Sequence, residues 1–267
     1  MMKRLFLSLA LSLSLTLTPA LAAGTLTVDG RTVDADATVR NNTTYVSLRA
    51  VTQALQPDAL ILWTGDRALA EGEDFSLTAQ PGALYLEVNG RALYIPQGVL
   101  LENGRTLVPV RVLAEALGAD VDWNSATGAV TVTSGDGTIL TEYDVYDPDA
   151  VYWLSRIISA ESRGEPLTGK VGVGNVILNR VGHAEFPNTI YGVIFDSRWG
   201  GQFEPVQNGT VYAAPTQESV IAAKLVLEGA DTVGDSLYFL APSLASNHWI
   251  MENRDYVATI GGHWFYR

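Results

Sequence analysis

The sequence predicts an N-terminal α/β domain of two related strand–helix halves, followed by a C-terminal α+β domain that is mainly helical with a small β-hairpin region. Three observations lead there. A segment starting at Asn41 recurs 62 positions later. Leu154, Ile157, Ile158 and Glu161 fall at i, i+3, i+4 and i+7, the spacing of one helix face. Near the C-terminus, Val257-Ala-Thr-Ile, a Gly261-Gly262 turn and His263-Trp-Phe-Tyr266 form a strong two-residue hairpin signal. At 267 residues there is room for about two domains of ordinary size.

The first segment is expected to lie outside the fold. Lys3 and Arg4 precede an apolar run over residues 5–17, and Ala20-Leu21-Ala22 is a small-x-small site. The run, broken by Ser and Thr, falls short of the roughly 20 apolar residues of a transmembrane helix. Residues 1–23 therefore read as an export signal cleaved after Ala22 or Ala23, with an uncleaved anchor as the alternative, and the mature protein as secreted. Losing Lys3 and Arg4 takes the formal charge from −12 to −14. The excess of acid is even, with 7 basic and 14 acidic residues over 24–140 and 8 and 15 over 141–267. Without a basic patch, nucleic acid and anionic lipid are poor partners. The chain has no cysteine, which excludes a thiol nucleophile and leaves two cores to hold an exported protein without disulfides.

The repeat pairs Asn41-Asn-Thr-Thr-Tyr45-Val-Ser-Leu-Arg49-Ala-Val-Thr-Gln-Ala-Leu55 with Asn103-Gly-Arg-Thr-Leu107-Val-Pro-Val-Arg111-Val-Leu-Ala-Glu-Ala-Leu117. In each, a polar turn leads into a short β-type run and then an amphipathic helix of two to three turns. A Trp-containing segment follows each helix, Leu60-Ile-Leu-Trp63 and Val121-Asp-Trp123, and Val130-Thr-Val-Thr133 alternates as a closing strand. One compact domain of two related halves is the simplest packing for such units. Gly104-Arg-Thr-Leu-Val-Pro-Val-Arg111 through Ala119-Asp-Val-Asp-Trp123-Asn resembles the copper-amine-oxidase N-terminal-like domain, over residues 24–134. The resemblance implies a spacer or adhesive module. Residues 24–134 hold no His and no Cys, so copper is not expected there. Turn-prone, acidic residues 135–148 read as a linker, and 149–267 as the second domain.

The second domain opens on the helix that holds Glu161. Asp147 is a plausible N-cap, Pro148 suits the first helical position, and Gly164 is expected as a left-handed stop. The apolar stripe brings Glu161 onto the packed face, where burial raises a carboxyl pKa and suits it to donate a proton near neutrality. The alternative is an acid in the last turn that leans into water. A second helix follows from Lys170, with Gly169, Gly172 and Gly174 spaced for close helix packing rather than as a dinucleotide fingerprint. Trp199-Gly-Gly-Gln202-Phe203-Glu-Pro-Val-Gln-Asn-Gly209 reads as an exposed loop or irregular hairpin. A helix over 216–228 and a strand over 236–240 complete the elements.

Glu161-Ser-Arg-Gly-Glu-Pro, Val176-Ile-Leu-Asn-Arg180-Val, Phe186-Pro-Asn-Thr-Ile190, Gly201-Gln-Phe203 and Ala245-Ser-Asn-His-Trp249 resemble, in the same order, the SleB-type cell-wall hydrolases, across residues 151–267. The resemblance implies a lysozyme-like fold and peptidoglycan glycan strands as substrate, in some members those of the spore cortex. It places the catalytic acid on Glu161. It also implies lytic transglycosylation, in which one acid suffices and the 6-hydroxyl of N-acetylmuramic acid attacks in place of water. Glu165 is the nearest second carboxylate, an auxiliary group or a residue that ties down the loop. Gln202, Phe203, Tyr238, Asn247 and Trp249 are candidate sugar contacts, since aromatic rings stack on sugar faces and amides read N-acetyl groups. Phe203, Tyr238 and Trp249 suit a core equally well. No metal or other cofactor is expected.

Two rival chemistries are weaker. Gly234-Asp235-Ser236-Leu237 spells the nucleophile block of GDSL hydrolases, but it precedes a strand and lacks the accompanying Asp-x-x-His block. An N-acetylmuramoyl-L-alanine amidase would need three zinc ligands, and His183, His248 and His263 are the only histidines. The third alternative is a non-catalytic wall-binding protein.

Overall fold

The computed structural model describes residues 24–198, 201–243 and 249–267. The strands and helices of the N-terminal part begin with β1 (Leu26–Val28), β2 (Arg31–Thr32), β3 (Thr38–Arg40), β4 (Thr43–Ser47) and α1 (Leu48–Leu55). Next come β5 (Leu60–Thr64), β6 (Arg67–Glu71), β7 (Ser76–Ala79), β8 (Tyr85–Val88) and β9 (Arg91–Tyr94). β10 (Leu100–Glu102), β11 (Arg105–Pro109), α2 (Val110–Ala116), β12 (Ala119–Trp123) and β13 (Val130–Ser134) complete the set.

β4 runs directly into α1 and β11 into α2, as the repeat predicts for each segment. The two strands pair antiparallel through Val46 and Val108 at the centre of the sheet β10-β11-β4-β3. Ser47 caps α1 by accepting from Ala50 N at 3.3 Å. Tyr45, Val46, Leu48, Val108 and Leu113 are all but excluded from solvent between these elements.

The part is richer in strands than an α/β expectation allows. Residues 60–94 form a five-stranded antiparallel meander in the order β5-β6-β7-β8-β9. Its residues alternate: Ala68 and Ala70, Leu77 and Ala79, and Leu86 and Val88 are buried while their neighbours are not. Asn89 (φ 48°) and Gly90 (φ 80°) supply the two positive-φ residues of the β8–β9 turn. The third sheet, β12-β13-β1-β2, is mixed, with β1 parallel to β13.

The C-terminal part comprises α3 (Glu142–Val145), α4 (Pro148–Ser162), α5 (Leu167–Val181), α6 (Ile190–Ile194), α7 (Glu204–Asn208), a 3-10 turn (Thr210–Tyr212) and α8 (Gln217–Leu227). Then follow β14 (Tyr238–Leu240), α9 (Trp249–Asn253), β15 (Tyr256–Ile260) and β16 (His263–Tyr266), with sheet order β14-β16-β15. Leu154, Ile157 and Ile158 of α4 are fully buried against α5 and α8. Glycine makes that closeness possible. A Cβ on Gly174 would lie 2.8 Å from Val226 and 3.0 Å from Ile158, so α5 meets both neighbours there. Asp147 caps α4 by accepting from Asp149 N at 3.0 Å.

Two local expectations fail. Gly164 is not left-handed; α4 ends at Ser162, its cap Arg163 keeps right-handed backbone, and Glu165 N donates to Ser162 O at 2.9 Å. Pro166, which cannot continue the helix, makes a glycine stop unnecessary. The segment expected as a loop after Gly201 contains α7, with Pro205 in its first turn and Gly209 (φ 80°) as its left-handed end.

The two parts meet across a polar interface with a dry centre. α8 packs against β9, and Ala92 is buried in the same cluster as Leu154, Ile157 and Ile221. Arg91 grips Glu228 in a fork, Nε to Oε1 at 2.8 Å and Nη2 to Oε2 at 3.0 Å, with both side chains under 10% exposed. Tyr146 donates to Glu228 Oε1 at 3.0 Å and accepts from Ala92 N at 3.1 Å. Burial first, then the adjacent Glu228, push its phenol well above the ordinary value. Lys224 donates to Gly90 O and to Glu142 Oε2, both at 2.7 Å. The stretch 135–148 is thus part of the seam, through Glu142 and Tyr146.

Leaving Glu228 buried without its cation is the costly event. Arg91→Ala is expected to lower stability by about 3–5 kcal/mol in urea denaturation, and the paired replacement Arg91→Met with Glu228→Leu to recover most of it.

Candidate active site

α4 delivers Glu161 to the floor of a groove of about 1070 Å³. The rest of the lining comes from the α5 end (Arg180), from α7 (Glu204), from β14 (Tyr238), from α9 (Trp249) and from Arg254 just after it. Glu161 stands one helical turn beyond the buried Ile157 and Ile158, so the packing that orders α4 also withdraws the carboxyl from water. Its pKa is pushed up to about 7, first by burial and second by the charge of Glu204, while Arg180 pulls the other way. Near neutral pH a substantial fraction of Glu161 holds its proton. It can donate to an ether oxygen and, once ionised, take a proton back.

Arg180 is the cation nearest to that chemistry. It is 5% exposed, and its Nε donates to Leu237 O at 2.7 Å. The guanidinium lies 5.0 Å from the Phe186 ring centroid, 5.4 Å from Phe203 and 5.6 Å from Tyr238. Burial lowers its pKa to about 10, with Tyr238, Asp196 and Glu161 opposing the shift, so it stays charged at neutral pH. Aromatic faces hold the cation in place of a carboxylate.

The candidate residues named from sequence part company here. Gln202, Phe203, Tyr238 and Trp249 line the same groove as Glu161. Phe203 is 3% exposed and packs near Phe239, so it floors the groove as a core residue. Trp249 is 48% exposed and offers a ring to the groove. Asn247 lies outside the described residues. Glu165 does not line the groove. Its carboxylate accepts from Gly262 N at 2.8 Å, pinning the β15–β16 turn, and its carbonyl accepts from the buried Lys170 Nζ. That geometry is a tie between the end of α4 and the C-terminal hairpin.

Sequence reasoning missed Glu204, Arg180, Arg254 and His263 as groove residues. Glu204 stood in the glycine-rich segment and Arg180 in a quoted motif, but neither had a spacing that pairs it with Glu161. Ser236, the serine of the GDSL-like block, is fully buried and donates to Val233 O at 2.6 Å, an arrangement with no room for attack on a substrate.

The cell wall hydrolase family profile matches residues 164–266. The C-terminal part of the chain is a SleB-type cell wall hydrolase domain. A second profile, the copper amine oxidase N-terminal domain, matches residues 27–132 and 87–144. The spore cortex-lytic enzyme of Bacillus cereus is 38% identical over 120 residues, 45% of this chain and 45% of that protein. The enzyme of the same description from Oceanobacillus iheyensis is 33% identical over 150 residues, 55% of this chain and 53% of that protein. This chain spans about half the length of these curated relatives. The solved catalytic domain of the germination-specific lytic transglycosylase SleB from Bacillus anthracis is 38% identical, covering 46% of this chain and 97% of that one, with a TM-score of 0.42. The hydrolase profile begins just after Glu161, so the place of Glu161 in the hydrolase domain rests on the groove geometry.

The sign of the pH effect follows from the raised pKa. The protonated form is lost as pH rises through about 7, so turnover is expected to fall along an acid-form limb there. Glu204→Gln removes a like charge, and the limb should move to lower pH in a kcat/KM profile. Stability follows the same sign, since what the neutral carboxyl contributes below its ordinary value of 4.5 is lost as pH climbs through about 7. Melting temperatures of the wild type and of Glu161→Gln should therefore diverge progressively between about pH 4.5 and 7 and hold a constant gap above that, with the amide variant the more stable.

Proposed function

We propose that this chain is an exported enzyme that cleaves peptidoglycan glycan strands between N-acetylmuramic acid and N-acetylglucosamine, acting as a lytic transglycosylase. The observation that supports it most is one half-buried acid, Glu161, with a pKa of about 7 in an open groove of about 1070 Å³. The names of the related spore cortex-lytic enzymes point to the same polymer. Glu161 protonates the glycosidic oxygen as the bond to the muramyl anomeric carbon breaks. The muramyl 6-hydroxyl then attacks that carbon and returns its proton to the Glu161 carboxylate, closing a 1,6-anhydro ring. The intramolecular hydroxyl brings its nucleophile at high effective molarity.

Gln202, Tyr238 and Trp249 would contact the sugars, with Phe203 beneath them. Residues 1–23 serve as the export signal. Residues 24–134, two strand–helix halves with a meander inserted between them, form the first domain, and 135–148 join it to the hydrolase domain at 149–267. No helix among the described residues is long and apolar enough to cross a membrane.

Glu161→Gln keeps the shape and removes the acid, so activity on purified sacculi should fall by about a hundredfold or more. Mass spectrometry of the wild-type digest should find 1,6-anhydromuramic ends, lighter than hydrolytic ends by one water. Products wholly at the hydrated mass would overturn transglycosylation. They would implicate Glu204, the second carboxylate of the groove, as the group that activates water.

A further inference from the structure

Among the described residues, five side chains hold a buried nitrogen or oxygen with no hydrogen-bond partner, and three of them line the groove: Arg180 (Nη1), Arg254 (Nε) and His263 (Nδ1). A buried donor left unpaired costs stability, and such atoms persist where a ligand or ordered water satisfies them. Two of these three belong to guanidinium groups, which only donate.

Arg254 is the one placed to meet a ligand. Arg180 is committed below to the Leu237 carbonyl and its aromatic ring. Arg198, the third arginine of the groove, is spent on Asp196 at 2.8 Å. Arg254 forms no ion pair among the described residues. Its Nη2 donates to the Tyr238 hydroxyl at 3.2 Å, and its guanidinium lies 4.8 Å from the Tyr238 ring centroid and 4.9 Å from that of Trp249. Two rings therefore fix the plane of the fork and leave its charge unanswered. None of the groove's three carboxylates, Glu161, Glu185 and Glu204, is ion-paired with Arg254, and the chain as a whole is acidic, with a formal charge of −12. A cation left without an acid in so acidic a chain is matched to a carboxylate that arrives from outside.

We infer that Arg254, held between Tyr238 and Trp249, recognises a carboxylate borne by the muramyl residue of the bound strand. This rests on the peptidoglycan reading, in which N-acetylglucosamine is neutral and only the muramyl unit bears an acidic arm. The carboxylate is either that of the lactyl group itself or that of a stem residue amide-linked to it. Recognition at this point sets which sugar of the alternating strand sits beside the α9 wall, and so fixes the register of the strand over Glu161. Arg254 is a specificity residue in this scheme and takes no part in proton transfer.

Calorimetric titration of the full chain bearing Glu161→Gln, which binds without cleaving, tests the inference. The ligands are N-acetylglucosaminyl-N-acetylmuramic acid with a free lactyl carboxylate, the same disaccharide as its lactyl carboxamide, and its L-alanine conjugate. The carboxylate forms should bind at least about tenfold more tightly than the carboxamide, the range of a hydrogen bond to a charged group. Adding Arg254→Gln should erase that difference while leaving carboxamide binding unchanged, and Arg254→Lys should restore part of it. Tighter binding of the L-alanine conjugate than of the lactyl acid assigns the site to the stem, and the reverse assigns it to the lactyl group. Equal affinity for acid and carboxamide overturns the inference without any variant at position 254, as does a preference that survives Arg254→Gln. The cleavage reading fails separately, if the wild-type chain binds these ligands yet leaves sacculi intact.

Discussion

The withdrawal of one carboxyl group from water is the constraint around which the hydrolase domain is arranged. Glu161 is positioned by the fully buried Leu154, Ile157 and Ile158, which leave α4 a single way to lie against α5 and α8. Gly174 allows that approach at the point where Ile158 and Val226 converge. A cation paired directly to Glu161 would hold it ionised. Arg180 sits instead among rings, close enough to be felt and not paired to Glu161. Glu204 on the facing helix pushes in the opposite direction. The acid's pKa is the balance of burial and these two charges.

The hairpin end of the chain supports the same site from behind. Glu165, Lys170 and Gly262 tie the turn after α4 to the β15–β16 turn, and so join the end of α4 to the sheet that holds Tyr238. Lys170 is almost fully buried and also donates to Glu218 at the start of α8 at 2.7 Å. A buried amine satisfied by a carbonyl and a carboxylate joins three segments at one atom. Positioning of this kind matters to catalysis because an acid misplaced by about 1 Å loses much of its effect.

The N-terminal part is more than an appendage in geometric terms. Its inserted meander brings β9 onto α8, the helix that also backs α4, through the Arg91–Glu228 fork and the Tyr146 hydroxyl. A seam with a dry charged centre resists bending, since tilting one part would expose one ion and strand the other. Glu161, Glu204, Tyr238 and Trp249 of the groove make none of the seam's hydrogen bonds. The N-terminal part therefore packs against the C-terminal part without lining its groove.

Local periodicity was sufficient for much of this. The i, i+3, i+4 pattern around Leu154 fixes the helix and the face of Glu161, and the Gly261-Gly262 pair fixes the terminal hairpin, because both depend on residues within a few positions of one another. The strand–helix units at 43–55 and 105–116 were legible for the same reason. The meander was less so, although Asn89-Gly90 is a two-residue turn signal, because its strands are short and its buried residues are often alanine. The Gly164 stop was misplaced because Pro166 ends the helix by a different means. What the sequence by itself determined was the helix that carries Glu161, the packed face on which Glu161 lies and most of the groove's aromatic residues. Only the tertiary structure decided that Glu204 rather than Glu165 shares the groove, that Arg180 and Arg254 face it, and that Arg91 meets Glu228. These pairs are separated by tens of residues or more, and long-range proximity comes from packing, which leaves no periodic trace in the chain.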